Sequence, residues 1–173
     1  MLTYSYRMVT ETSQRCGLCG NPGDAHDRHV RFGLPEAVLT SPGQEQVPGA
    51  WLSHGSPEKS VMMQIPGIGQ FLRALLPVRL TEGHMVTYGL WVAAEPDDFD
   101  RASRVWRGPE YEDLRLAGAL ANFVEPWGLL AAPVSVAVRD MRHTPYCVSS
   151  PDPLLSRVLS EDWPHEDILP TLP

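Results

Sequence analysis

The chain has 173 residues, the size of one domain with room for a small N-terminal appendage, and 43% hydrophobic content is enough for a true core. Fourteen Lys and Arg against 21 Asp and Glu give a formal charge of −7; Lys59 is the only lysine and the arginines are dispersed. That balance argues against a nucleic-acid partner, which would need clustered cations to displace counterions.

The N-terminus has no apolar h-region, and no run reaches the roughly 18 apolar residues of a membrane span, so a soluble cytoplasmic protein without membrane association is expected. Three cysteines, two of them in Cys-x-x-Cys, suit metal or redox chemistry in a reducing compartment better than a disulfide framework. Seventeen prolines spread along the chain read as rigid turns and edge breaks rather than a disordered tail.

In chain order, Leu2–Val9 alternates weakly and reads as a short strand leading to Cys16. Cys16 and Cys19 then form a tight knuckle, with His26 and His29 completing a tetrahedral Zn²⁺ ligand set within fourteen residues. The downstream spacing departs from the usual finger patterns, which keeps His54, His84, His143, Cys147 and His165 as reserve ligands. Two other readings of the Cys pair stay open: redox thiols, or an unoccupied pair. The redox reading lacks the strand and helix N-terminus that such motifs use, because Gly20–Gly23 gives a turn. Four nearby ligands favour a closed, structural site, since a catalytic zinc needs an open position.

Leu34–Leu39 suits one helical turn, and residues 40–48 a surface loop. His54-Gly55-Ser56 sits in a polar turn before a strand at Val61–Ile65; it lacks the elbow context of a nucleophilic serine. Pro66–Gly69 is a turn, not a dinucleotide loop. Leu72–Leu80 alternates as a strand that Pro77 places at an edge or a bulge, and residues 81–84 make a short hairpin connection. The stretch Met85–Trp106 organises the chain. Val86, Tyr88, Leu90 and Val92 have the period of a strand; Pro96 then opens a helix with Phe99, Ala102 and Trp106 on one face. Leu114–Val124 suggests a short helix, Pro133–Arg139 a strand, Tyr146–Ser149 a short strand, and Asp152-Pro153 the start of a last helix that Pro164 ends. Trp91 and Trp106 are expected in the core, with Trp51, Trp127 and Trp163 as packing plugs.

These elements predict an α+β fold: an antiparallel sheet with helices on one face and a small N-terminal zinc knuckle. The segments are a knuckle over residues 1–31 and an α+β domain over 32–173.

Cys16-Gly-Leu-Cys19-Gly20, Gly89-Leu-Trp91-Val92, Asp98-Phe99-Asp100-Arg101, Leu120-Ala-Asn122 and Asp152-Pro153-Leu154 together resemble the bacterial domain of unknown function 2199 family over nearly the whole chain. The resemblance implies a fold and no reaction. The family has His near the position of His26, which supports that residue as a ligand, and usually has His where Asp152 stands here.

Two functions compete. The first is a non-enzymatic, zinc-stabilised domain that binds a protein partner or a small molecule. The second is an enzyme of small-molecule metabolism with a pocket over the sheet near His54 and His84, lined by Tyr88 and Trp91, with Glu82 as a further acid/base candidate.

Overall fold

The computed structural model describes residues 28–41 and 43–173. Its elements are β1 (Arg28–Arg31), α1 (Glu36–Leu39), β2 (Trp51–Leu52), β3 (Met62–Ile65), β4 (Gly69–Leu80), β5 (Met85–Ala94) and α2 (Pro96–Val105). They continue with β6 (Arg115–Leu120), β7 (Pro133–Ala137), β8 (Tyr146–Ser149), α3 (Pro153–Ser160), β9 (Asp162–Trp163) and α4 (His165–Ile168). The expected strand at Leu2–Val9 and the knuckle residues Cys16, Cys19 and His26 lie outside the described residues.

One long hairpin carries the sheet. β4 and β5 pair antiparallel from Gln70–Ala94 to Arg79–Met85, and left-handed Glu82 (φ 63°) and Gly83 (φ 79°) make the reversal between them. From β5 the sheet passes through β6, β7 and β8 and returns to β4, so five strands close into a small barrel. The sheet is mixed rather than antiparallel: β1 runs parallel to β5, and both β8 and β9 run parallel to β4. The alternation that predicted the strands sets which side chains face inward. Pairing direction depends on the long connections, which local period does not encode.

Pro77 is no sheet-edge residue in the simple sense, because it pairs with Thr87 inside the main hairpin. The backbone nitrogen of Leu75 points away from β5 to the Pro145 carbonyl (2.8 Å), and Pro77 has the same orientation two residues on. It therefore falls between the short pairings at Leu75 and Arg79, where no ladder donor is needed.

The expected helix at 114–124 is instead strand β6. Leu114, Leu116 and Leu120 are buried at period two, and this tertiary fit overrides the helical preference of an Ala- and Leu-rich segment. Gly118 fixes the packing: a Cβ there would overlap the Ala93 carbonyl oxygen and come within 2.6 Å of Val92 Cγ1.

Even-numbered residues of β4 and β5, from Leu72 to Leu80 and from Val86 to Val92, fill the main core with Leu116, Val134, Val136 and Cys147. Helices α2 and α3 bury Phe99, Ala102, Leu155 and Val158 in the same core. Pro96 stands in the first turn of α2, and Asp152 caps α3 by accepting from the Leu155 N–H (2.9 Å). The opposite face of the hairpin is covered as well. A second cluster there joins Val38 of α1 to Met63, Ile65, Phe71, Trp91 and Ala121, so helices are not confined to one face. Trp91 is fully buried and Trp106 half-buried; Trp127 and Trp163 pack edge to face at 5.2 Å, as plugs would, while Trp51 stays 43% exposed.

Candidate functional site

A buried arginine sets the geometry of the outer face. Arg73 on β4 is 1% exposed, and among the described residues no carboxylate hydrogen-bonds to it, although the Glu58 charge acts on it from further off. Its guanidinium instead donates to five backbone carbonyls: Ser60 (3.1 Å), Pro57 (3.1 Å), Phe32, Gly33 (3.3 Å) and Gly89 (3.3 Å). Five acceptors match the five N–H donors of the group. The guanidinium also lies 4.0 Å over the Trp91 ring, a cation–π contact in a desolvated place. Burial, and then repulsion from Arg31, pull its pKa down to about 9, which leaves it charged at neutral pH. Arg73 thereby ties the segment after β1 and the 53–60 loop to the hairpin.

Trp91 and Asn122 complete this layer. The Trp91 indole N–H donates to the Gly33 carbonyl (3.2 Å), and buried Asn122 accepts from the Trp91 backbone (2.8 Å) and donates to the Leu34 carbonyl (2.8 Å). Neither group is placed for chemistry.

The 53–60 loop is internally satisfied. Buried Ser60 donates to the carbonyls of Ser56 (2.8 Å) and His54 (3.1 Å) and accepts from the His54 backbone. Ser53 Oγ accepts from the backbones of Val61 and Met62 and touches His54 Nδ1 at 3.0 Å. The hydroxyls of Ser53 and Ser60 are taken up by the hydrogen bonds that build this turn.

Over Leu75, on the strand face that carries Arg73, lies an open cavity of about 560 Å3. Its wall brings together Arg31 of β1, His54 and Lys59 of the 53–60 loop, Arg107 after α2, and Arg142 and His143 of the β7–β8 loop. Val61, Leu75 and the half-buried Trp106 supply an apolar strip, and among the described residues no carboxylate lines the wall itself, although Asp140 lies behind it, 2.8 Å from Arg142 and 3.8 Å from His143 Nδ1. The arginines are mostly held by carbonyls. Arg31 donates to Glu58 O (2.9 Å) and Arg107 to Met141 O (2.6 Å), so their charge is positioned without being neutralised. Arg142 alone is paired, through Nε and Nη2 to Asp140 (3.1 and 2.8 Å), and these hydrogen bonds hold the Asp140 carboxyl well below its usual range. The loop is anchored from below, because the buried Tyr111 hydroxyl donates to the His143 carbonyl (2.7 Å). Burial pushes the Tyr111 phenol up to about 12, keeping that donor protonated. The His143 ring is oriented by Tyr146, whose hydroxyl lies 3.1 Å from Nδ1.

The sequence-derived candidates divide among several places. His54 lines this cavity, but its companion is His143; His84 lies in the hairpin connection and is not in the wall. Glu82 is in that connection too, at the left-handed position. Tyr88 lines a different cavity of about 380 Å3, with Phe32, Phe123 and Thr171, and its buried phenol is pushed up to about 12. Trp91 is core. His29 is exposed on β1, opposite Thr87. Among the reserve ligands, Cys147 and His165 are buried, and burial pushes the Cys147 thiol up to about 12. Among the described residues no group of three or more His, Cys, Asp or Glu could hold a metal ion.

The sequence showed the arginines as dispersed, and the structure brings Arg31, Lys59, Trp106, Arg107 and Arg142 to one cavity wall. These residues come from four separate segments, and no local pattern joins them. The single lysine was the only cue.

No helix among the described residues is long and apolar enough to cross a membrane. No curated protein and no solved structure matches the chain. Residues 15–159 match the model of a family described as an uncharacterised protein conserved in bacteria, DUF2199. With most of its length covered by that match, the chain belongs to the DUF2199 family.

Proposed function

We propose that this domain binds a small, multiply charged anion in the cavity between β1, the 53–60 loop, the end of α2 and the β7–β8 loop. One observation carries the reading: Arg31, Lys59 and Arg107 converge on one cavity wall with no carboxylate paired to them among the described residues, in a chain whose formal charge is −7, and the fourth cation, Arg142, is held by Asp140. Like charges brought together repel, and such a cluster is tolerated at a site that an anion neutralises. The patch is confined to one cavity of small-molecule size, whereas a nucleic-acid backbone needs a longer cationic track. Calorimetric titration with pyrophosphate is the test. Saturable binding that weakens at least tenfold in Lys59→Met supports the reading; equal, non-saturating heats in both proteins refute it.

We also propose a structural zinc held by Cys16, Cys19, His26 and His29. Support comes from the Cys-x-x-Cys spacing, from the exposed imidazole of His29 at the N-terminal end of β1, and from the burial of Cys147 and His165, which leaves those reserves in the core. Protein purified without added metal should hold about one zinc per chain. Chelation should then release two reactive thiols while Cys147 stays inert until unfolding. Zinc-free protein whose two knuckle thiols titrate at once would contradict this.

A further inference from the structure

The cavity contains more than charge, and its apolar strip narrows the class of ligand. We infer that the occupant is a small phosphate ester with a flat apolar body, its phosphate held by Arg31, Lys59 and Arg107 and its ring laid against Trp106. This inference rests on the anion-binding reading above and deepens it.

Charge decides the anionic group. Arg142 is paired with Asp140 at 2.8 Å, and among the described residues Arg31, Lys59 and Arg107 have no carboxylate paired to them. A monocarboxylate would balance one of the three, while a phosphate monoester near neutral pH brings about two negative charges and three acceptor oxygens. Both guanidiniums are already fixed by backbone carbonyls, so little side-chain freedom is lost when they bind. Arg in this role offers a planar fork that suits phosphate oxygens.

Volume and surface decide the remainder. A cavity of about 560 Å3 falls within the roughly 300–1,000 Å3 range of small-molecule sites and leaves ample space beyond a lone phosphate group. That space is bounded by Trp106, Val61 and Leu75. The Trp106 ring is braced by Tyr111 at 5.1 Å, so one side of the indole is backed by the core. A braced, half-exposed indole beside a cationic cluster offers a flat body both an apolar contact and a fixed orientation.

The test compares inorganic phosphate, methyl phosphate, phenyl phosphate and phenol by calorimetry on the full chain. Phenyl phosphate should bind at least tenfold more tightly than methyl or inorganic phosphate, and phenol alone should not bind measurably. Trp106→Ala should reduce the phenyl advantage to less than threefold and leave the affinity for inorganic phosphate within twofold; Trp106→Phe should retain most of the advantage. Should Trp106→Ala fail to fold, the phenyl-to-methyl comparison in the unaltered protein still decides. Equal affinities for phenyl and methyl phosphate would overturn this inference and leave the anion site standing. Failure of all three phosphates while pyrophosphate binds would overturn this inference alone, and failure of pyrophosphate as well would overturn both.

Discussion

Across the β4–β5 hairpin, even-numbered side chains such as Leu76 and Leu90 meet other apolar side chains, and odd-numbered ones meet a layer organised by Arg73, Trp91 and Asn122. In the first region stability follows apolar area removed from water, which is tolerant of partner identity. In the second it depends on each buried donor finding a carbonyl, and those carbonyls come from Phe32, Gly33, Leu34, Pro57 and Ser60. The inner face therefore makes a barrel, whereas the outer face fixes the loops that form the cationic cavity.

Truncation should expose the difference most sharply. In the inner core, Phe99→Ala should cost about 3–5 kcal/mol in denaturant unfolding with the cavity unaffected. A loss below about 1 kcal/mol would mean that α2 does not seal the core. On the outer face, Arg73→Met should cost about 3 kcal/mol, because it strands carbonyls that the guanidinium satisfied. It should also abolish pyrophosphate binding as the 53–60 loop is released. Arg73→Lys should recover little of either, since an ammonium has three donors in place of five. Stability loss without loss of binding would separate the two regions that the structure couples.

Smaller effects sharpen the picture. Asp152→Ala should cost about 1 kcal/mol by removing the cap of α3, and Asp152→His, which lacks the carboxylate oxygen that accepts from the Leu155 N–H, should do no better as a cap. Tyrosine ionisation gives the mildest signal. Tyr88 and Tyr111, buried with phenols pushed up to about 12, should stay protonated when exposed tyrosines titrate near pH 10. Between about pH 10 and 12 the unfolded chain holds fewer protons than the native one, so stability should fall as pH rises through that window. Absorbance titration showing all five tyrosines ionising together near pH 10 in native protein would contradict their burial.

The inner face was legible in the sequence because its signal is local. Val86, Tyr88, Leu90 and Val92 declare a strand by their spacing alone, and Pro96 and Asp152 announce their helices by capping chemistry. Leu114–Leu120 misled because Ala and Leu favour helix, and the constraint at Gly118 comes from Ala93 across the sheet. The outer face was illegible for a stronger reason. Arg73 reads as the polar half of an alternating strand, and nothing near it in sequence shows that Phe32, 41 residues away, supplies an acceptor. Likewise His54 stood out in the sequence by itself, but its neighbours Arg107 and His143 are brought to it by α2 and the β7–β8 loop.

The central claim is that dispersed cations act as one anion site, and the spectrum of the protein during a pyrophosphate titration tests it most directly. Side-chain resonances of Arg31, Arg107, His54 and His143, and the indole N–H of Trp106, should shift together along one binding isotherm while Tyr88 and Trp91 stay fixed. Shifts spread evenly over all arginines, or an absence of shifts at these five residues under saturating pyrophosphate, would contradict it.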